Sequence, residues 1–426
     1  PSYKPSGVEW LGDVPEHWNL KRFGYLFDEN KKKNIGLKET NVLSLSYGNI
    51  KEKNIDDNKG LLPESFETYQ IIEPNDIVFR FTDLQNDKRS LRSAISKYHG
   101  IITSAYIAVK TKQNADFYNY LFRAYDLQKV FYSMGEGMRQ SLKMDELNKM
   151  PVVLPNKDEQ KRIVSFLDTE TARIDNLIAK QEKLIELLEE QRKSIISHAV
   201  TKGLNPDAPM KDSGVEWLGE VPEHWNLKPI KFLAKTNQLT LAENTDEDFE
   251  IQYVDIGSVS ITNGIEKIET ILFKDAPSRA RRIVKDGDII VSTVRTYLKA
   301  IAYIENPPKN LIVSTGFAVL NPIRTVISPQ YAKFTFLAEQ FIAEVIAKSK
   351  GISYPAITAT ELADIKIALP PLNEQKVILQ YLLEENLKMN KLISKQNQLI
   401  EKLKEYRASI ISHAVTGKID VREFDA

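Results

Sequence analysis

The chain has 426 residues, 58 basic and 58 acidic side chains, zero formal net charge and no cysteine. That length suits two to four domains with cores of their own, and the missing cysteines exclude a disulfide scaffold, a thiolate metal site and a cysteine nucleophile. No run approaches the ~20 apolar residues of a membrane span, residues 1–13 lack a signal-peptide pattern, and the expected location is the cytoplasm.

Taken in order, the predicted elements form a duplicated unit. Residues 6–21 read SGVEWLGDVPEHWNLK and return as 213–228, with Asp13 replaced by Glu220. After the first copy, residues 41–50 (NVLSLSYGNI), Asp76–Phe79 and Ile101–Val109 carry strand patterns. Phe117–Val130 reads as a helix, and a Gly-containing loop follows at Met134–Gln140. LPNKDEQK at 154–161 opens a long helix. Its seam is Leu167, Thr171, Ile174, Ile178, Gln181, Ile185, Leu188, Arg192, Ile195 and Ala199, stepping alternately by four and three as a coiled coil requires. Asn156 and Glu159 predict a capping box, and Gly203 followed by Pro206 predicts the stop.

The second half repeats the sequence of elements with different content. Residues 251–260, Asp288–Val291 and Leu311–Leu320 read as strands, Pro329–Ala347 as helix and Ser349–Pro355 as the closing loop. LPPLNEQK at 369–376 opens a second seam: Leu382, Asn386, Met389, Ile393, Gln396, Ile400, Leu403, Arg407, Ile410 and Ala414. RKSIISHAVT at 192–201 and RASIISHAVT at 407–416 end the two helices. Gln181 and Gln396 match, as do Arg192 and Arg407; polar seam residues cost stability and fix register, which suits two helices pairing with each other. About 40 residues give a rod of roughly 60 Å. Halves related by a pseudo-twofold axis bring the chain ends close, so labels at Ser2 and Phe424 are expected within about 30 Å. Shared segments with divergent middles imply repeated contacts for the former and different targets for the latter.

Catalytic signatures are missing. There is no phosphate loop, no H-E-x-x-H and no G-x-S-x-G. His17, His224, His198 and His413 lie in the repeats and read as structural, His99 reads as a solvated turn, and no metal-ligand cluster is visible. Asn306-Pro307-Pro308 opens like the N-P-P-aromatic signature of adenine methyltransferases, but Lys309 cannot stack on a flipped base. The neutral total conceals patches. Residues 243–250 hold five acids, whereas 274–299 hold seven bases against three acids. Arg80, Lys88, Arg89, Arg92 and Lys97 cluster in the first middle. Such clusters, interleaved with Ser, Thr, Asn, Gln and Tyr, are the residue types that hold phosphates and read base edges.

The duplicated G-V-E-W-L-G-x-V-P-E-H-W at 7–18 and 214–225, the L-P-x-x-x-E-Q at 154–160 and 369–375, and the twin S-I-I-S-H-A-V-T resemble the specificity subunit of type I restriction–modification enzymes over essentially the whole chain. The resemblance implies an α+β, pseudo-twofold fold: two α/β target recognition domains separated by two long helices in an antiparallel coiled coil. Its division would be 1–155 (first recognition domain with its motif), 156–203 (first spacer helix), 204–370 (second recognition domain) and 371–426 (second spacer helix and tail). It further implies a non-catalytic subunit that reads a split, asymmetric target in double-stranded DNA. Two modification subunits would dock on the shared segments and methylate adenine, with two restriction subunits where present. S-adenosylmethionine, ATP and Mg are expected on those partners, and no cofactor on this chain. Seven residues inserted near Lys180 and seven near Lys395 would lengthen each helix by roughly 10 Å, about 3 base pairs, and widen the spacer between half-sites.

Pairing the halves within the chain groups the candidate DNA-reading residues: Ser46, Tyr47 and Asn49 with Ser258; Arg80, Thr82, Lys88, Arg89 and Arg92 with Arg295 and Tyr297; Arg139 and Gln140 with Ser353 and Tyr354. Ser292, Thr293 and Lys350 belong with them, and Arg279, Arg281 and Arg282 are expected on phosphates. The competing reading is a coiled-coil scaffold that joins two copies of a partner and has no DNA specificity.

Overall fold

The computed structural model describes residues 2–54, 65–82, 84, 91–134, 141–422 and 424. The chain divides into two compact units, Pro1–Glu182 with Asn397–Ala426, and Lys183–Gln396.

The first unit is built on an antiparallel sheet of β1 (Phe27–Glu29), β2 (Ile77–Phe79), β3 (Ser93–Ile95) and β4 (Ile107–Thr111), in the order β1-β4-β2-β3. Val109 faces Ile77 on one side and Glu29 on the other. Side chains alternate across a strand, so consecutive apolar residues supply both faces. Ile77, Phe79 and Val109 enter a core with Phe117, Leu121 and Phe122 of α1 (Ala115–Leu127). Val78, Ala94 and Ala108 enter a second core with Leu43, Leu45 and Ile50. The hairpin of strands 43–46 and 49–52 therefore forms an outer layer, on the face away from the helices. The Asn114 side chain caps α1 by accepting from the Phe117 N–H at 3.1 Å. The long helix α2 (Lys157–Lys202) follows.

The second unit repeats this plan with β5 (Ala234–Thr236), β6 (Ile289–Ser292), β7 (Ile301–Tyr303) and β8 (Phe317–Pro322), in the order β5-β8-β6-β7. Ile289, Val291, Ala318 and Leu320 face the helical core, while Ile290, Phe317 and Val319 face the outer one. The outer layer is larger here, a four-stranded sheet in which 250–254 runs parallel to 311–314. The expected single helix at 329–347 is two, α3 (Pro329–Phe336) and α4 (Glu339–Lys348). In one continuous helix, residues 336 and 341 would lie about 140° apart. The break at Leu337–Ala338 lets Phe336 and Phe341 enter the same core, with ring centroids 5.1 Å apart. The second long helix is α5 (Leu372–Val415).

Each unit contains the start of one long helix and the end of the other. In the first, Ile163, Leu167 and Ile174 of α2 share a core with Ile410, Ile411 and Ala414 of α5. In the second, Ala199 and Val200 of α2 meet Ile378 and Leu382 of α5. The helices pair antiparallel, as the resemblance implied. The matched seam arginines have matched but unequal partners. Arg407 bonds both oxygens of Asp175, at 2.8 and 3.2 Å, whereas Arg192 reaches Asn390 at 2.7 Å. At the chain ends, strand Tyr3–Pro5 pairs with Asp13–Pro15, and the Tyr3 hydroxyl donates to the Gly417 carbonyl at 3.1 Å. That contact joins the segment before the first motif to the turn that ends α5 without fixing the Ser2–Phe424 separation. The same hairpin recurs at 210–212 and 220–222.

The repeated motifs are joints. The Trp18 and Trp225 rings are buried, and each indole N–H donates to a glutamate one turn into a long helix, Glu159 at 3.3 Å and Glu374 at 3.0 Å. His17 and His224 meet the same carboxylates at 2.8 and 2.7 Å, in keeping with a structural reading of these histidines. This changes the expected capping box. Asn156 does cap α2, accepting from the Glu159 N–H at 3.0 Å, but Glu159 takes its return bond from the Asn156 side-chain amide and spends its other oxygen on the motif. His99 pairs with Glu39 at 2.9 Å, so that turn is anchored.

The adjoining glutamine has its own role. Buried Gln375 accepts from the Ser328 N–H at 3.0 Å and donates to the carbonyls of Val326 and Pro370, both at 3.0 Å. Gln160 does the same for Asn114 and Pro155. Gln375→Leu orphans a buried N–H and two carbonyls, and is expected to cost about 1–3 kcal/mol by denaturant titration, with Gln160→Leu similar in the first unit. No helix among the described residues is long and apolar enough to cross a membrane.

Candidate nucleic-acid interface

In the second unit, the loop after β6 and the loop after α4 are joined into one surface. The Thr293 carbonyl accepts from the Ile357 N–H at 2.9 Å, and Val294 bridges Ala356. The Thr296 hydroxyl donates to Ser349 at 2.8 Å. Lys350 and Ala356 exchange two backbone bonds, at 2.8 and 2.9 Å, closing a small hairpin whose tip is 351–355. Arg295 and Lys299 flank a short 3-10 turn, and both hold left-handed backbone, with φ of 51° and 52°. Residues with a β-carbon avoid that region, and such strain gathers at functional sites. Arg295 lies over the Tyr354 ring, 4.9 Å from its centroid. Lys350 meets Glu361 at 2.7 Å, and that contact draws the Glu361 carboxyl down to about 2.

Arg295, Tyr297, Lys350, Ser353 and Tyr354 are thus brought together on an exposed surface. Thr293, half-buried, donates its hydroxyl to the Gly316 carbonyl at 2.9 Å. Ser292 is a correction: it is buried at the end of β6, and its hydroxyl donates to the Val294 carbonyl, so it shapes the loop and faces no partner.

A second group lies on the outer sheet. Arg279 grips Asp255 with two bonds of 3.1 Å. Burial pushes the Asp255 carboxyl up, but Arg279, the Ile256 N–H and the Tyr253 hydroxyl together outweigh it and hold the group below its ordinary range. The Ser258 N–H donates to the Asp255 carbonyl. Arg281 lies over Phe273 at 4.6 Å, and Arg282 donates to Thr240 at 3.2 Å while burial lowers its pKa. The turn Thr315–Gly316 connects the groups, because Thr315 N–H meets the Arg279 carbonyl and Gly316 meets Thr293.

In the first unit, Ser46, Tyr47 and Asn49 form the tip of the outer hairpin. Tyr47 and Gly48 both have positive φ, 46° and 71°, as a tight two-residue turn requires. Tyr47 is exposed, and the half-buried Arg123 donates to the Gly48 carbonyl at 2.7 Å. A β-carbon at Gly48 would sit 2.1 Å from the Arg123 guanidinium, so another residue would have to displace that side chain as well as take a left-handed backbone. Beside the tip is a cleft of about 680 Å³, with Lys51, Lys97, Tyr98, Tyr120 and Arg407 on its walls.

Arg80 and Thr82 are half-buried beyond β2. Arg92 is the second correction. Its side chain is fully buried, donating to the Thr82 carbonyl at 3.1 Å and to the Tyr132 hydroxyl at 3.3 Å, so it ties the end of β2 to the residues around Tyr132 from inside. Lys88, Arg89, Arg139 and Gln140 lie outside the described residues. Sequence reasoning missed Lys51, Arg123, Lys299 and Ile352. Lys299 alone carries a usable signal, as one of the bases in the 274–299 patch; Ile352 is apolar and has neither the charge nor the hydrogen-bonding groups that mark a nucleic-acid contact in sequence. Among the described residues, no cluster of His, Asp and Glu could hold a metal ion.

Both units present cationic and tyrosine-bearing loops on a common frame, and comparison with known proteins gives that frame a family. The family described as the type I restriction modification DNA specificity domain matches residues 93–187 and 222–402. The chain belongs to this family of specificity subunits. It is 25% identical to the putative type I restriction enzyme MjaX specificity subunit of Methanocaldococcus jannaschii, over 97% of this chain and 96% of the relative. It is equally similar to the MjaVIII specificity subunit of that organism, covering 97% and 95%. A chain from a structural study of type I R-M complex assembly and conformational transition shares the fold, with a TM-score of 0.65 at 15% identity, covering 95% and 99%. The HsdS subunit of Thermoanaerobacter tengcongensis gives 0.52 at 16%, covering 95% and 98%. Specificity subunits are the non-catalytic DNA-recognition components of type I restriction–modification systems.

Proposed function

We propose that this specificity subunit reads an asymmetric, bipartite DNA target, one half with residues 1–155 and the other with 204–370. The residues assigned to contact are Tyr47 and Asn49, exposed at the hairpin tip, with the half-buried Ser46 beside them in the first unit, and the exposed Arg295, Tyr297, Lys350, Ser353 and Tyr354 in the second. Arg279, Arg281 and Arg282 serve phosphates. Two modification subunits dock on the repeated motifs and methylate adenine, and restriction subunits join where present. S-adenosylmethionine, ATP and Mg belong to those partners, and the complex works in the cytoplasm. One observation carries this reading: two units share a sheet order and motif joints, yet their outer layers and loop tips differ. A shared frame with different loops suits two different half-sites. Its deciding test is methylome sequencing of cells carrying this chain with its modification partner. The expected result is methylated adenine in two unlike half-sites at a fixed spacing. Methylation without any enriched split sequence would favour the scaffold.

A further inference from the structure

The tip of the second unit is apolar where a nucleic-acid surface is ordinarily polar. Ile352 is fully exposed, and Tyr354, Tyr297, Leu298 and Val294 on the two joined loops are exposed as well. Such a patch usually marks an interaction site. The tip is also held in one shape. The Lys350–Ala356 pair closes its base, Gly351 takes a φ of 110°, and the Thr293 and Thr296 contacts fasten it to the neighbouring loop.

The charges around the tip decide what covers it. Residues 293–299 and 348–357 contain four cations and no acid. Lys348 and Lys350 are offset by Glu344 and Glu361, whereas Arg295 and Lys299 form no ion pair among the described residues. An apolar protein surface would bury these two cations with no anion to meet them, which is costly. Duplex DNA offers a guanine edge or a phosphate to each cation and a base stack to the apolar side chain.

We infer that Ile352 is a wedge that enters between two base pairs of the half-site read by the second unit and unstacks that step. Apolar side chains on DNA-binding proteins act in this way, and the duplex kinks at the opened step. Steps that unstack cheaply, TA and CA/TG, are then preferred at this position without any hydrogen bond to a base. This inference rests on the function proposed above.

The experiment uses the full chain assembled with its modification partner, on duplexes carrying the half-sites that methylome sequencing defines. 2-Aminopurine is placed at successive positions through the second half-site. Its fluorescence is expected to rise at one step on binding. Ile352→Ala should abolish the rise and Ile352→Leu keep it, with thermal melting unchanged because the side chain is fully exposed. Tight binding with no rise at any position, or a rise that survives Ile352→Ala, overturns the wedge while leaving bipartite reading intact. A complex that methylates no bipartite sequence overturns the reading beneath it. Release of the modification partner by Ile352→Ala in the absence of DNA also overturns the wedge, because the tip is then a protein contact.

Discussion

Trp225→Ala lowers the stability of the second unit by about 3–5 kcal/mol, the range for a large aromatic removed from a closed core. The ring is fully buried with Val221, Ile378 and Leu382, so the truncation leaves a cavity that few neighbours can fill. It also strands the Glu374 oxygen that accepted the indole N–H. The ring seals one more joint. Gly203 ends α2 with a φ of 77°, and a β-carbon there would lie 3.3 Å from the Trp225 ring. The side chain therefore ties the repeated motif to the start of α5 and the end of α2 together. Thermal melting reads the effect at about 2–4 °C per kcal/mol for a unit of this size. Trp225→Phe should restore most of the packing and leave a deficit near 1 kcal/mol, from the lost hydrogen bond. Trp18→Ala is expected to act alike in the first unit, where Trp18 meets Glu159 and packs beside Gly417. A loss below about 1 kcal/mol for Trp225→Ala would mean the joint is not what holds the unit.

Those joints explain what could be read in the chain beforehand. Near-identical segments recur because each copy must make the same contacts: Trp to Glu, Gln to a helix cap, and a terminal glycine against the Trp ring. The heptad seams were legible because burial at a helix interface repeats every seven residues. The strands Asp76–Phe79 and Asp288–Val291 were legible because β2 and β6 are buried on both faces and read as unbroken apolar runs. The interface was less legible. Arg92 and Ser292 look like DNA contacts by residue type, yet both are buried, and type alone does not give side-chain direction. Arg407 stands in the seam by its spacing, and it also lines the first-unit cleft, since a seam arginine can be half-exposed. The single helix expected at 329–347 failed because Phe336 and Phe341 needed the same core, a demand invisible without the third dimension.

Arg295→Ala relaxes recognition in one half-site and leaves the other unchanged. Arg295 is exposed at a left-handed position, and the Tyr354 ring beneath it restrains the guanidinium plane. A restrained, planar fork without an ion-pair partner among the described residues is suited to the O6 and N7 edge of guanine. Such a contact is worth about 1–3 kcal/mol of discrimination, so cognate affinity should fall roughly 5- to 150-fold, measured with the modification partner present at fixed salt. DNA already altered at that base pair should lose little more, which is the signature of base reading. Arg295→Lys should not rescue, because an ammonium cannot make two parallel bonds. Tyr354→Ala removes the restraint and should couple with Arg295→Ala by about 0.5–1 kcal/mol in a double-mutant cycle. Lys299→Ala is the contrast. A phosphate contact weakens every sequence alike and reduces the salt slope by about one. If Arg295→Ala behaves as Lys299→Ala does, the arginine belongs to the backbone, and base reading in the second unit must come from Tyr297, Ser353 and the loop around them.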